Sequence, residues 1–157
     1  MRKVNSTALL SKTASHRKAM FGNMCASLFM HERIVTTKQK AKALKVFSER
    51  MITRAKRNLV LSESDVAKKI HNKREILKNM HDRDAVVKLF DDIAIRNKDR
   101  KGGYTRIILL DNRAGDAAER VIVELVEKKA PVKKESAKKE PVKKEKDEKV
   151  KEKKEKK

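Results

Sequence analysis

The chain has no tryptophan, one cysteine, four glycines and two prolines among its 157 residues. Each scarcity excludes something. With Cys25 alone, no intramolecular disulfide can form and a cysteine-based metal cluster would lack ligands. His16, His31, His71 and His81 have no spacing that closes a metal site with Cys25 or a nearby carboxylate. The aromatic residues are Phe21, Phe29, Phe47, Phe90 and Tyr104, too few and too apolar to form a ladder for stacking single-stranded bases. No apolar run approaches the ~18 residues that cross a bilayer. After Met1-Arg2-Lys3-Val4, residues Asn5, Ser6, Thr7 and Lys12 interrupt any signal-peptide core, so a soluble, cytoplasmic protein with no membrane partner is expected. Gly102-Gly103 is a single pair, not a phosphate-binding fingerprint, and Asp111 and Asp116 bracket a turn of the wrong length for calcium. No Ser-His-Asp set or carboxylate pair is present. The expectation is therefore no catalysis, no cofactor, no metal and no small-molecule substrate.

What the chain has in abundance is positive charge. Lysine and arginine number 43 against 22 acids, a formal net charge of +21. Such an excess opposes compaction by self-repulsion and makes sense beside a polyanion, of which nucleic acid is the commonest in a cell. The charge is uneven. Residues 128–157 hold 15 lysines and 7 acids, both prolines (Pro131 and Pro141) and a recurring Lys-Lys-Glu, the composition of a disordered polyampholyte. All the aromatic residues fall in 1–127, enough chain for one domain. Within it, residues 1–14 lack a clear period and no acid precedes Glu32, which reads as an extended basic arm. The organisation is thus an arm over 1–14, a globular nucleic-acid-binding domain over 15–127 and a tail over 128–157.

Periodicity fills in the domain. Ser15 is a plausible cap for a helix over 15–30, where Met20, Phe21, Met24, Cys25, Leu28 and Phe29 make a broad apolar face. The β-branched run over 33–37 reads as a strand. Thr36 or Thr37 then caps a helix to Arg57 whose stripe is Ala41, Leu44, Phe47, Met51 and Ala55. A third helix over 63–79 points Val66, Ile70 and Leu77 inward, and a fourth, capped by Asp82 or Asp84, shares Val86, Leu89, Phe90 and Ile93 on one face. Gly102-Gly103 ends the helical region, and strands over 104–110 and 120–126 flank a turn. The order α-β-α-α-α-β-β predicts an α+β fold with a small mixed sheet packed against helices.

Three basic clusters stand out. Arg2, Lys3 and Lys12 lead into His16-Arg17-Lys18 at a helix start, where unpaired N–H groups suit a phosphate. The second helix carries Arg50, Arg54 and Arg57 on one flank and Lys38, Lys42 and Lys45 on another. Arg106 and Arg113 sit around the sheet and its turn. Without a zinc finger, basic zipper or aromatic ladder, this pattern suits recognition of a folded polyanion by shape and phosphate contacts. Two rival readings are a DNA-binding chromatin or regulatory protein and an RNA-modifying enzyme. The 57–63 connection gives no tight glycine turn for the first, and no cofactor site supports the second.

Ser15-His16-Arg17-Lys18-Ala19-Met20-Phe21 with Asn23-Met24 resembles the signature of the bacterial large-subunit ribosomal protein seventeen family. Further stretches agree in order: His31-Glu32 with 34–37 and 40–42, Ile52-Thr53 with Ala55-Lys56, 102–107, 112–116 and 123–125. The resemblance implies an α+β fold and a structural protein that binds large-subunit rRNA near the nascent-peptide exit, beside other ribosomal proteins of that subunit. Carried over by position, it implies RNA-facing roles for Arg2, His16, Arg17, Asn23, Lys40, Lys42 and Arg113. Residues 4–10 depart from it, being nearly uncharged where the family's arm usually has more arginines.

Overall fold

The computed structural model describes residues 9–62 and 64–128. Arg2, Lys3 and the 129–157 part of the tail lie outside them. Helix α1, Ala14–His31, starts behind Thr13, which holds the extended conformation of a cap. The expected cap, Ser15, is already inside the helix. Its hydroxyl meets only that of Thr13, at 3.4 Å, while the Arg17 N–H closes the first turn on the Thr13 carbonyl at 2.9 Å. Phe21, Cys25, Leu28 and Phe29 are buried as expected, with Met20 and Met24 packed beside them. The helix stops at Glu32, whose φ of 60° is the left-handed conformation usually left to glycine. The Glu32 carbonyl then accepts the Leu125 N–H at 3.0 Å.

Strand β1 is Arg33–Thr37, as the β-branched run predicts, and helix α2, Lys38–Val60, follows at once. Its stripe lies inward: Ala41, Leu44, Met51 and Ala55 are buried, Phe47 is partly so, and Ile52 joins them. Helix α3, Val66–Leu77, is shorter than expected. Ser62 donates to the Asp65 carboxylate at 3.0 Å, and the Asp65 N–H donates to the Ser62 carbonyl at 3.2 Å, so a local turn displaces the helix start. The inward set expected of α3 is also corrected. Val66 and Ile70 are exposed and Leu77 is only half-buried, whereas Ile76 is buried. The reason is polar: Asn72 donates to Asn58 at 2.7 Å, and Asn58 donates to the Lys69 carbonyl at 3.2 Å, so amides hold the middle of α3 to α2.

Asp82 caps α4, Arg83–Lys88, accepting the N–H groups of Asp84 (3.0 Å) and Ala85 (3.2 Å). The run continues through a π-helical turn, Leu89–Ile93, into α5, Ala94–Arg96. Val86, Leu89, Phe90 and Ile93 are all buried, with Ala94. Strands β2, Thr105–Asn112, and β3, Glu119–Leu125, complete a three-stranded sheet of order β1-β3-β2. The α+β class stands, but the sheet is antiparallel throughout, not mixed. A connection as short as 113–118 can only fold β3 back beside β2, and β1 takes the other side of β3 in the opposite sense. Val121, Val123 and Leu125 face the helices, with Ile34 and Ile107 beside them.

Arg96 ties the layers together. Its guanidinium lies 2.7 Å from the Glu32 carboxylate and 2.8 Å from that of Asp92, and donates to the Glu127 carbonyl at 2.8 Å. Lys88 adds a bond to the Met30 carbonyl at the α1 C-terminus, at 2.7 Å. Gly22 sets a second constraint, because a Cβ there would collide with the Asn79 carbonyl oxygen where 78–82 crosses α1. Gly22→Ala is expected to destabilise by about 1–3 kcal/mol, the usual range for overpacking against backbone. Arg96→Ala is expected to cost about 2–3 kcal/mol, between the values of exposed and buried ion pairs. Urea midpoints at constant slope measure both, and an unchanged midpoint would refute either.

Candidate nucleic-acid interface

The arm joins the domain through a clasp. Leu10 and Ser11 take positive φ values of 54° and 51°, and the Lys12 N–H closes a turn on the Leu9 carbonyl at 3.2 Å. Arg17 Nη1 donates to the carbonyls of Lys12 (2.9 Å) and Leu9 (3.3 Å), and Leu10 packs against the core. Arg17, nominated for phosphate, therefore also positions the chain entering α1. His16 and Lys18 are exposed beside it, and Asn23 is exposed farther along α1. The first turn of α1 holds no acid, and Thr13 makes no side-chain cap bond.

On α2, Arg50, Arg54 and Arg57 line one depression with Val46, Glu49 and Thr53. The three arginines nominated for their spacing are thus brought together on one surface. Arg54 is drawn to Glu75 of α3 at 3.2 Å, while Arg50 and Arg57 are exposed without a carboxylate partner among the described residues. Lys38 is spent on Glu119 of β3 at 2.8 Å. Lys42 is exposed and Lys40 half-buried, both unpaired among the described residues.

The sheet-side cations differ. Arg106 Nε lies 3.6 Å from Glu124, and Arg113 makes a two-pronged contact with Asp116, Nε to Oδ1 at 2.9 Å and Nη2 to Oδ2. That guanidinium, with the Ala118 N–H, holds the Asp116 carboxyl at about 2. Lys128, then Arg106 and Arg33, holds Glu124 below the usual carboxylate range. Cations that spacing did not single out also reach the surface, among them Lys56, Lys98 and Lys101, which join only when α2 meets the segment after α5. Their one advance signal is the basic composition of 98–101, too short to stand out in so basic a chain. Among the described residues no group of three or more His, Cys, Asp or Glu could hold a metal ion, and no helix is long and apolar enough to cross a membrane.

The family model described as ribosomal protein L17 matches residues 20–126. The chain belongs to the ribosomal protein L17 family. The large ribosomal subunit protein bL17 of Halothermothrix orenii is 49% identical over 119 residues, covering 76% of this chain and 96% of that protein. Its counterpart from Trichlorobacter lovleyi is 48% identical over 131 residues, covering 83% and 98%. That of Agrobacterium fabrum is 46% identical over 133 residues, covering 85% and 87%. The L17 family is one of ribosomal proteins, not of enzymes. Its model begins inside α1, covers the rest of the helices and the sheet, and stops at residue 126, before the lysine-rich tail.

The lowered carboxyls of this L17 family member give a pH dependence of defined sign. Asp65, Asp116 and Glu124 all titrate lower when folded than when unfolded, so their contribution is complete above the unfolded values, near ~4. It is lost as pH falls toward about 2, where Asp116 protonates. Thermal midpoints are expected to stay level from pH 7 to 5 and fall below that. Asp116→Asn should flatten the lower part of the curve, and an identical curve for that variant would show the turn pair to be idle.

Proposed function

We propose that the protein is a structural component of the large ribosomal subunit in the cytoplasm, binding and bridging rRNA through the α1 start and the outer face of α2. The observation that carries this reading is the segregation of charge. Glu75, Glu119, Glu124, Glu32, Asp92 and Asp116 are spent on neighbouring cations between layers, in the sheet or in its turn. Lys18, Lys40, Lys42, Arg50 and Arg57 have no carboxylate partner among the described residues. Such charges, fixed on rigid helices, lower the repulsion between phosphates of RNA segments that fold beside each other. Arg106 and Arg113, half-neutralised within the hairpin, contribute less. Arg2 and Lys3, outside the described residues, join this reading by sequence alone. The family resemblance supports a position near the nascent-peptide exit and ribosomal-protein neighbours, and the tail after Val126 lies beyond the stretch the family model matches.

Replacing Lys18, Lys42 and Arg50 with Glu is expected to weaken binding to purified large-subunit rRNA by at least about tenfold at ~100 mM salt, because phosphate contacts are lost and like charges placed against them. Helical content and melting should not change, since all three are exposed and outside the ion pairs. Affinity equal to the parent's at every salt concentration would move the interface elsewhere.

A further inference from the structure

The C-terminal third of α2 and the segment after α5 enclose a groove of ≈ 310 Å³ that no sequence pattern marked. Lys56, Arg57, Lys98 and Lys101 line it, with Tyr104 at its base. Lys56 is held in place: its ammonium donates to the Arg100 carbonyl and, at 3.3 Å, to the Tyr104 hydroxyl, and lies 5.1 Å from the centre of that ring. None of these partners carries a negative charge. Arg100 takes the nearby Glu127 at 3.1 Å, and Asp99 pairs with none of the groove cations. Four positive groups thus converge with no carboxylate to neutralise them among the described residues, one of them half-buried and fixed in direction.

Arg57 also borders the depression that holds Arg50 and Arg54, so the two surfaces are continuous. Along the groove, Leu59 is 38% exposed and Val60 87%. Apolar walls between cations suit a strand whose phosphates alternate with ribose faces. Resting on the rRNA-binding reading above, we infer that Lys98 and Lys101 are phosphate ligands, and that the groove carries the backbone of the strand at Arg50 and Arg57 around the end of α2. Lys56 is the positioning residue, fixing the 97–103 segment so that the other two ammonium groups face α2.

The full chain and purified large-subunit rRNA provide the test. Each neutralised phosphate adds roughly 0.7–0.9 to the slope of log affinity against log salt, so Lys98→Ala with Lys101→Ala should lower it by roughly 1.4–1.8. Tethered cleavage locates the strand. Cys25 is fully buried, with its thiol pushed far up by burial, so an exposed cysteine takes an iron-chelate label selectively. Gly102→Cys leaves every groove cation intact, and nothing lies within 4 Å of the added Cβ. Val46→Cys places the label beside Arg50. Cuts from Gly102→Cys within a few nucleotides of those from Val46→Cys, with the lowered slope, are expected. An unchanged slope, or cuts from Val46→Cys alone, would overturn the groove assignment and leave the rRNA reading standing. Cuts from the two positions in unrelated RNA segments would overturn the continuous track. If the unsubstituted protein fails to bind the rRNA, both readings fall.

Discussion

The contact between Arg96 and Glu32 decides how the two layers of this protein meet. Helix α1 ends in a left-handed Glu32, a conformation that costs a residue bearing a Cβ about 1–2 kcal/mol. It persists because the turn is held from both sides. The Glu32 carbonyl takes the Leu125 N–H of β3, and its carboxylate takes Arg96 from α5. Arg96 also reaches Asp92 and the Glu127 carbonyl. One guanidinium therefore links the end of α1, the α4–α5 run and the exit of β3. The pair is mostly out of water, so its worth lies as much in fixing one arrangement as in net energy. Glycine at position 32 would relax the backbone and forfeit the anchor.

That arrangement sorts the charge. In a molecule of net +21 acids are outnumbered about two to one, and the fold places several of them where two elements must be joined. Glu119 meets Lys38 across β3 and α2, and Glu75 meets Arg54 across α3 and α2. Left over are the unpaired cations of α1 and α2, while the α4–α5 run keeps Asp84 and Asp91 at its surface. A strongly basic domain can thus hold a packed interior while offering its outer helices to a polyanion. The apolar contacts, such as Phe21 against Phe47 at 6.0 Å between ring centres, resist the repulsion that the surface creates.

Much of the architecture is legible in the amino-acid order because local signals and packing agree. The 33–37 strand, the α2 stripe, the Asp82 cap and the apolar face of the last helical run were each visible in spacing and residue type. The failures fall where polar groups override periodicity. Val66 and Ile70 mimic a core stripe, yet Asn58 and Asn72 hold the helix instead. Ser15 looks like a cap, but the bend at Leu10 and Ser11 moves the start back to Thr13. Gly22 sits deep in a helical pattern and drew no reading, because the backbone it admits, at Asn79, is 57 positions away. The arginines at 50, 54 and 57 share a face by helix geometry alone, whereas Lys56 and Lys101 meet only through tertiary packing.

The amide clasp on α3 has a dynamic consequence. Of that helix, only Ile76 is fully buried, so little apolar surface resists its separation, and two amide hydrogen bonds exchange readily for water. Beyond Ile76, α3 rests on α2 through polar contacts, these amides and the Arg54–Glu75 pair, with Leu77 half-buried beside the core. Its amide protons should be the earliest helical ones to trade with deuterium, giving the molecule a hinged flank on an otherwise stiff body.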